Sequence, residues 1–176
     1  MKKRFLTVYA VLDDITQNNL KELQRVLIDY NLLGTQIKEI PYHISLGSFP
    51  LDKKTELESL IQNKCMATST FNINLLKINH FKNKVLYIEP EINDNLINLQ
   101  RTFDGNYADN YDWTPHVTLF CGNWLQVIKA KKYIKSQFVP FTATITSIQM
   151  SEFFPTKIII DQPLQTNINL ARDFND

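Results

Sequence analysis

Two short segments of this chain carry the same arrangement of histidine, aliphatic and hydroxyl side chains. Residues 43–46 read His-Ile-Ser-Leu, and residues 116–119 read His-Val-Thr-Leu. A β-strand points alternate side chains to opposite faces, so the imidazole and the hydroxyl share one face while both aliphatic residues share the other. The chain has three histidines, and two of them lie in this pattern. We therefore interpret both segments as strands that present site residues on one face and enter a core with the other.

Two imidazoles at one site would allow general acid–base catalysis. An unperturbed imidazole has a pKa of about 6.5, so near neutral pH one ring can be neutral while the other is protonated. Phosphodiester cleavage needs both states, because a base takes a proton from the attacking oxygen and an acid gives one to the leaving oxygen. The hydroxyls of Ser45 and Thr118 would donate hydrogen bonds to phosphate oxygens, where negative charge grows in the transition state. The pattern predicts His43 and His116 as a catalytic pair whose chemistry needs no metal.

The composition is typical of a globular domain. The chain has 176 residues, 44% of them hydrophobic, and a formal net charge of +1. Such a small charge gives no overall field for non-specific binding to long nucleic acids, so a nucleic-acid ligand would be held locally, by its end or as a small fragment. Cys65 and Cys121 are too few for a disulfide scaffold and are typical of a reducing compartment.

The N-terminal segment has the outline of a signal peptide but not its length. Basic residues 2–4 precede the apolar run 5–12, which is short, ends at two aspartates and lacks a small-residue cleavage site. No run of the sequence approaches the length of a membrane span. We expect the run to form a first β-strand, and the protein to be cytoplasmic with no membrane association.

Periodicity and turn residues predict alternating helices and strands. Thr16 would cap a first helix that ends near Gly34, and Pro50 and Asp52 would introduce a second. A third helix would lie at about 92–103, and a fourth would begin at 122 or 123. His80 is expected in a loop. The expected strands are 5–12, 37–46, 70–79, 84–89, 115–121, 141–150 and 157–161.

The order of elements around the two motifs repeats. Helix, motif strand, helix and strand pair occur twice, and the motif histidines are 73 residues apart. Phe81 follows His43 by 38 residues, and Phe153 follows His116 by 37. We interpret this as an internal duplication. A pseudo-two-fold axis would bring both histidine faces to one cleft, and a monomer is expected because the duplication already supplies the symmetry of a dimer.

The chain resembles the two-histidine phosphoesterase superfamily in these paired motifs. Arg4-Phe5 at the first strand and Thr-Pro-His-Val-Thr-Leu at 114–119 resemble in particular its 2′-5′ RNA ligase branch, whose members act as RNA 2′,3′-cyclic phosphodiesterases. The resemblance covers the whole chain. It implies one α+β domain, residues 1–176, with two lobes of about 1–90 and 91–176. Each lobe would be an antiparallel sheet flanked by helices, around a central cleft.

The resemblance also implies an activity and its residues. His43 and His116 would be the catalytic pair, with Ser45 and Thr118 binding phosphate and with no metal or other cofactor. The expected reaction is hydrolysis of nucleoside or RNA 2′,3′-cyclic phosphate ends to a 2′-phosphate. The substrate would be an RNA 3′ end, an oligonucleotide or a small nucleotide, with no obligate protein partner. Where many relatives carry an arginine after the second motif, this chain has Phe-Cys-Gly at 120–122.

Three other functions stay open at this point. One is hydrolysis of 2′-5′ or cyclic oligonucleotides, and another is a nucleotide-binding or RNA-end-binding module without turnover. The third is a structural or protein-interaction domain in which the two motifs occur by chance. Several side chains are weaker candidates for substrate contact, aromatic ones by stacking on a base and lysines by holding phosphates. They are Tyr9, Phe49, Trp113, Phe120 and Phe154, the lysines at 129, 131, 132 and 135, and Lys157.

Overall fold

Helices and strands alternate along the chain in the computed structural model, which describes residues 3–82, 84–108 and 112–166. Within these ranges there are seven strands, four α-helices and a short 3₁₀ helix, Leu51–Lys53. The strands are β1 (Phe5–Leu12), β2 (His43–Phe49), β3 (Phe71–Phe81), β4 (Val85–Pro90), β5 (Val117–Cys121), β6 (Phe141–Phe153) and β7 (Lys157–Pro163). The helices are α1 (Asp14–Asp29), α2 (Lys54–Met66), α3 (Asp94–Thr102) and α4 (Trp124–Lys135). The predicted α+β class is confirmed.

All seven strands belong to one antiparallel sheet, which corrects the expectation of two. The strand order is β2-β1-β6-β3-β4-β5, and β7 also pairs with β6. The reason is the length of β6: one edge pairs with β1 along most of its length, while the other edge pairs with β3 at 141–145 and with β7 at 147–152. Each end of the sheet contains strands that precede residue 90 in the sequence and strands that follow it. The predicted boundary between two lobes at that residue stays a prediction.

The two motif strands are the outermost strands of this order, yet they lie close together. Cα atoms of β2 and β5 approach within 8 Å of each other. Strand twist and the irregular registers in β1, β3 and β4 allow a sheet to curve in this way. Curvature, rather than direct pairing, therefore brings the two histidine motifs together.

The core confirms the alternation predicted for both motifs. Ile44, Leu46, Val117 and Leu119 are at most 1% exposed. Apolar stripes of the four helices pack with them into one hydrophobic cluster. Burial on the scale of about 1.5–3 kcal/mol per aliphatic side chain fixes the register of each motif strand, because a one-residue slip would turn these residues to solvent.

Three local expectations were wrong. Asp13, and not Thr16, caps α1, because its carboxylate accepts a hydrogen bond from the Thr16 amide at 2.8 Å. The segment 37–42 is not a strand: Pro41 has no amide hydrogen, and Gln17 bonds both backbone groups of Tyr42. His80 lies in β3 rather than in a loop, since β3 and β4 pair up to a tight turn after residue 81. No helix among the described residues is long and apolar enough to cross a membrane.

Candidate functional site

All four residues predicted from the motifs line one cavity of about 1640 Å³. His43 and Ser45 reach it from β2, and His116 and Thr118 reach it from β5 and the residue before it. The cavity thus contains two imidazoles and two hydroxyl residues, presented by strands whose opposite faces are locked in the core. The structure brings together the residues that the sequence placed 73 positions apart.

Both imidazoles are anchored in the same way. His43 Nδ1 lies 2.7 Å from the carbonyl oxygen of Pro41, and His116 Nδ1 lies 2.8 Å from that of Thr114. A carbonyl oxygen can only accept, so Nδ1 donates in each case and carries the hydrogen. The lone pair of the neutral ring is therefore on Nε2 in both histidines. Each imidazole has its tautomer and orientation set by the carbonyl two residues earlier, as a proton-transfer group requires.

The surroundings of His43 favour the neutral form of its imidazole. Its ring packs on Tyr9, with the two centroids 4.4 Å apart. The pKa of His43 is lowered to about 4, chiefly by burial; the bond to Pro41 acts in the opposite direction, and positive charge on His116 adds to the lowering. At pH 7 His43 therefore carries no charge.

Tyr9 is held firmly beneath His43. Its hydroxyl donates to Gln149 Oε1 at 3.0 Å and is bonded to Ser151 Oγ at 2.7 Å, so the ring cannot turn away. Burial raises the pKa of Tyr9 to about 12. Sequence reasoning had suggested Tyr9 as a base-stacking residue, but it is completely buried and supports His43 instead.

His116 packs against a different wall, made by the end of β3 and the first half of β4. The Phe81 ring meets it edge-on at 4.9 Å, and the Tyr87 ring does so at 5.4 Å. Those two rings are stacked on each other at 4.1 Å. Neither was predicted as a site residue, although the 38- and 37-residue spacings had marked Phe81 as a repeated position after a motif histidine.

Trp113 connects the two motif segments directly. Its indole nitrogen donates to the backbone carbonyl of Ser45 at 2.8 Å, and Trp113 also lines the cavity. The chain after α3 passes very close to the same strand, because a Cβ added at Gly47 would lie only 2.0 Å from the Phe103 carbonyl oxygen. Only glycine allows this close approach.

The remaining candidates lie mostly outside the cavity. Phe120 is fully buried in the core, Phe49 packs beside Gly105, and Phe154 is 37% exposed but does not line the cavity. None of the four lysines of α4 lines it, nor do Lys157 and His80. Among the described residues, no group of three or more histidine, cysteine or acidic side chains is placed to hold a metal ion.

Comparison with known proteins identifies the family. A model of the 2′-5′ RNA ligase superfamily matches residues 12–153, and the chain belongs to this superfamily of two-histidine phosphoesterases. Membership supports an activity of the phosphodiesterase type. Comparison with curated protein sequences gives no match.

Solved structures share the fold at low sequence identity. TT0787 of Thermus thermophilus is 15% identical with a TM-score of 0.62, and the match covers 93% of this chain and 99% of that one. Escherichia coli LigT complexed with 3′-AMP is 14% identical with a TM-score of 0.56, at the same coverages. LigT complexed with ATP is 14% identical with a TM-score of 0.55, and the match covers 94% and 99% of the two chains.

Proposed function

We propose that this chain is a metal-independent phosphodiesterase that hydrolyses nucleoside or RNA 2′,3′-cyclic phosphate ends. The observation that carries the proposal is the matched pair of imidazoles, which have the same tautomer and share one cavity with the hydroxyls of Ser45 and Thr118. Family membership supports the same class of reaction. The complexes of the related LigT with 3′-AMP and with ATP support a ligand of nucleotide type.

The reaction would use the two Nε2 atoms on opposite sides of the phosphate. One neutral imidazole takes a proton from water as the oxygen of that water attacks phosphorus, and the other gives a proton to the departing ribose oxygen. The five-membered ring already holds the leaving oxygen in place, so only the water must be positioned. Release of the 3′ oxygen leaves a 2′-phosphate. Ser45 and Thr118 would bind the non-bridging oxygens.

The protonation state of His43 allows an experiment to tell which histidine is the base and which is the acid. Because its pKa is about 4, His43 is neutral at pH 7 and can act as the base without a change of protonation state. If it were the acid, it would have to take up a proton as the anionic substrate binds. Calorimetry of phosphate binding in buffers of different ionisation enthalpy measures that uptake directly.

The test is turnover of 2′,3′-cyclic nucleotides and of a short RNA with that end, with and without a chelator. We expect activity in both conditions and a 2′-phosphate product by phosphorus NMR. His43→Ala and His116→Ala should each lower kcat by roughly 10²–10⁴-fold, and Ser45→Ala and Thr118→Ala by roughly 10–10³-fold. His80→Ala, which removes an imidazole outside the cavity, is the matched control. A 3′-phosphate product would refute the polarity, and full activity in either motif variant would remove that histidine from the mechanism.

One observation favours a second candidate substrate. A cavity of about 1640 Å³ exceeds the roughly 300–1,000 Å³ typical of small-ligand sites. Cys121, which belongs to the Phe-Cys-Gly segment that follows the second motif in place of the arginine of many relatives, lines this cavity. Hydrolysis of 2′-5′ or cyclic oligonucleotides would suit this space, and inertness toward cyclic phosphate with turnover of those substrates would establish it. Tight binding of all of them without turnover would indicate a binding module. A monomer is proposed, to be checked by light scattering.

A further inference from the structure

The floor of the cavity beyond the histidines is formed by β1 and its neighbour β6. Alternate residues of β1 lie on the cavity side of the sheet, and each is paired with a residue of β6 on the same side. Among these residues Phe5, Thr7 and Phe153 line the cavity itself. Tyr9 lies at the histidine end of this floor, where it supports His43. The floor is polar in its middle and aromatic at the other end. Its three cross-strand pairs are Tyr9–Gln149, Thr7–Ser151 and Phe5–Phe153.

The aromatic end is a preformed stack of two rings. Phe5 and Phe153 are stacked with their centroids 5.3 Å apart and an interplanar angle of 10°. Phe153 is 7% exposed, while Phe5 is partly exposed, and both line the same cavity as the histidines. Phe154 closes the side of the stack with edge-on contacts to both rings at 6.0 and 6.5 Å. The stack thus keeps one ring, Phe5, in a fixed orientation at the cavity surface.

We propose that the Phe5 ring stacks on the nucleobase of the nucleotide that precedes the cyclic phosphate. This inference rests on the proposed function, because it places the scissile phosphate at His43 and Ser45. Ser45 is paired with Tyr9, and Phe5 lies four residues further along β1, a distance of roughly 13 Å at the rise of a β-strand. That distance exceeds the reach from a phosphate to the base of its own nucleoside, and the preceding nucleotide spans it.

Two hydroxyl side chains between the two ends would contact a sugar and a phosphodiester, although that of Ser48 also accepts a hydrogen bond from the Ala108 amide at 2.8 Å. Thr7 and Ser48, paired across β1 and β2, line the cavity between the histidine end and the aromatic end. Hydroxyl-bearing side chains are common partners of phosphate and sugar oxygens. An aromatic platform accepts every base, since each base has a π face, so the inferred site selects for chain length rather than for sequence. The substrate class is therefore an oligonucleotide of two or more residues with a terminal cyclic phosphate.

The experiment measures equilibrium affinity, which does not depend on turnover. The ligands are a 2′-phosphorylated mononucleotide, a dinucleotide with the same 2′-phosphorylated end, and that dinucleotide with an abasic upstream residue. The wild-type protein should bind the intact dinucleotide roughly 5-fold to 100-fold more tightly than the abasic one, the range found for base–aromatic stacking. Phe5→Leu keeps an apolar side chain but removes the ring face, and should reduce this ratio to about one.

Phe154→Leu is the matched control, because it alters a ring of the same cluster that does not line the cavity. It should keep the wild-type ratio. As a measurement without substitution, the NMR signals of the Phe5 ring should shift with the intact dinucleotide and stay in place with the abasic one. Equal affinity of the wild type for both dinucleotides, or an unchanged ratio in Phe5→Leu, would overturn the inference.

Turnover measured in parallel separates this inference from the proposed function. Hydrolysis that is indifferent to the upstream base would overturn the stacking site and leave the activity intact. The opposite result would be that the wild type binds the intact dinucleotide more tightly than the abasic one, that Phe5→Leu abolishes this difference, and that neither ligand is hydrolysed. It would support the stacking site and overturn the activity.

Discussion

Replacing His43 by asparagine should remove a pH dependence of the folding free energy worth about 3 kcal/mol. In the unfolded chain an imidazole titrates near its ordinary pKa of about 6.5. In the folded protein burial lowers the pKa of His43 to about 4. Between these two values the unfolded state binds a proton that the folded state does not, so stability falls as the pH drops through this window. At about 1.4 kcal/mol per pH unit, the gap amounts to about 3 kcal/mol.

The assay is denaturant unfolding of the wild type and of His43→Asn at pH 7 and at pH 4. Asparagine can still donate its side-chain amide to the Pro41 carbonyl, so the variant removes the titrating ring and keeps the anchor. Titrating groups that do not interact with His43 contribute equally to both proteins and cancel when the two pH differences are subtracted, whereas His116, whose charge lowers the pKa of His43, is part of the measured difference. We expect the wild type to lose about 3 kcal/mol more than the variant, with unchanged m-values.

His80→Asn shows what the loss of an imidazole outside the cavity does to the same measurement. Parallel pH dependences of wild type and His43→Asn would refute the reasoning. They would mean that folded His43 takes up its proton near the ordinary pKa, and that the cavity does not hold it neutral.

Three further predictions concern His43 and the residues that support the cavity. The pH profile of kcat/KM should be bell-shaped, with one limb near pH 4 that belongs to His43 and is absent in His43→Ala. Trp113→Phe removes the donor to the Ser45 carbonyl, so kcat should fall about 10-fold to 10²-fold with little change in KM, because the two motif segments are no longer held together. Tyr9→Phe leaves the Gln149 carbonyl oxygen without its donor and should lower the free energy of unfolding by about 1–3 kcal/mol, measured in urea.

Local pattern predicted most of the elements because side-chain alternation and capping act over a few residues. Strand β1 has the expected bounds, and the motif aliphatic residues are buried as expected. The start of β2 was misplaced because its limit depends on Gln17, which is distant in sequence and bonds Tyr42. The single sheet could not be predicted either. It depends on β6 pairing with β1, β3 and β7 at once, and periodicity does not specify partners.

The site shows the same division between local and long-range information. The four motif residues were identified from the sequence, and all four line the cavity. The rings of Phe81 and Tyr87 that support His116 were missed, because their packing depends on the β3–β4 pairing. The hydrogen bond from the Trp113 indole nitrogen to β2 was not indicated by the sequence either; Trp113 lines the cavity, and its stacking on a base stays a prediction.

The two motifs are equivalent in sequence pattern and in backbone anchoring, but their surroundings differ, and the proposed reaction would use that difference. Acid–base catalysis by two like groups requires that one be neutral while the other is charged, so their environments must separate their protonation. Here His43 lies on the buried ring of Tyr9, whereas His116 meets the edges of the aromatic pair between β3 and β4. A repeated motif can supply two imidazoles with the same tautomer. Different neighbours around the two rings are then needed to make their protonation states different.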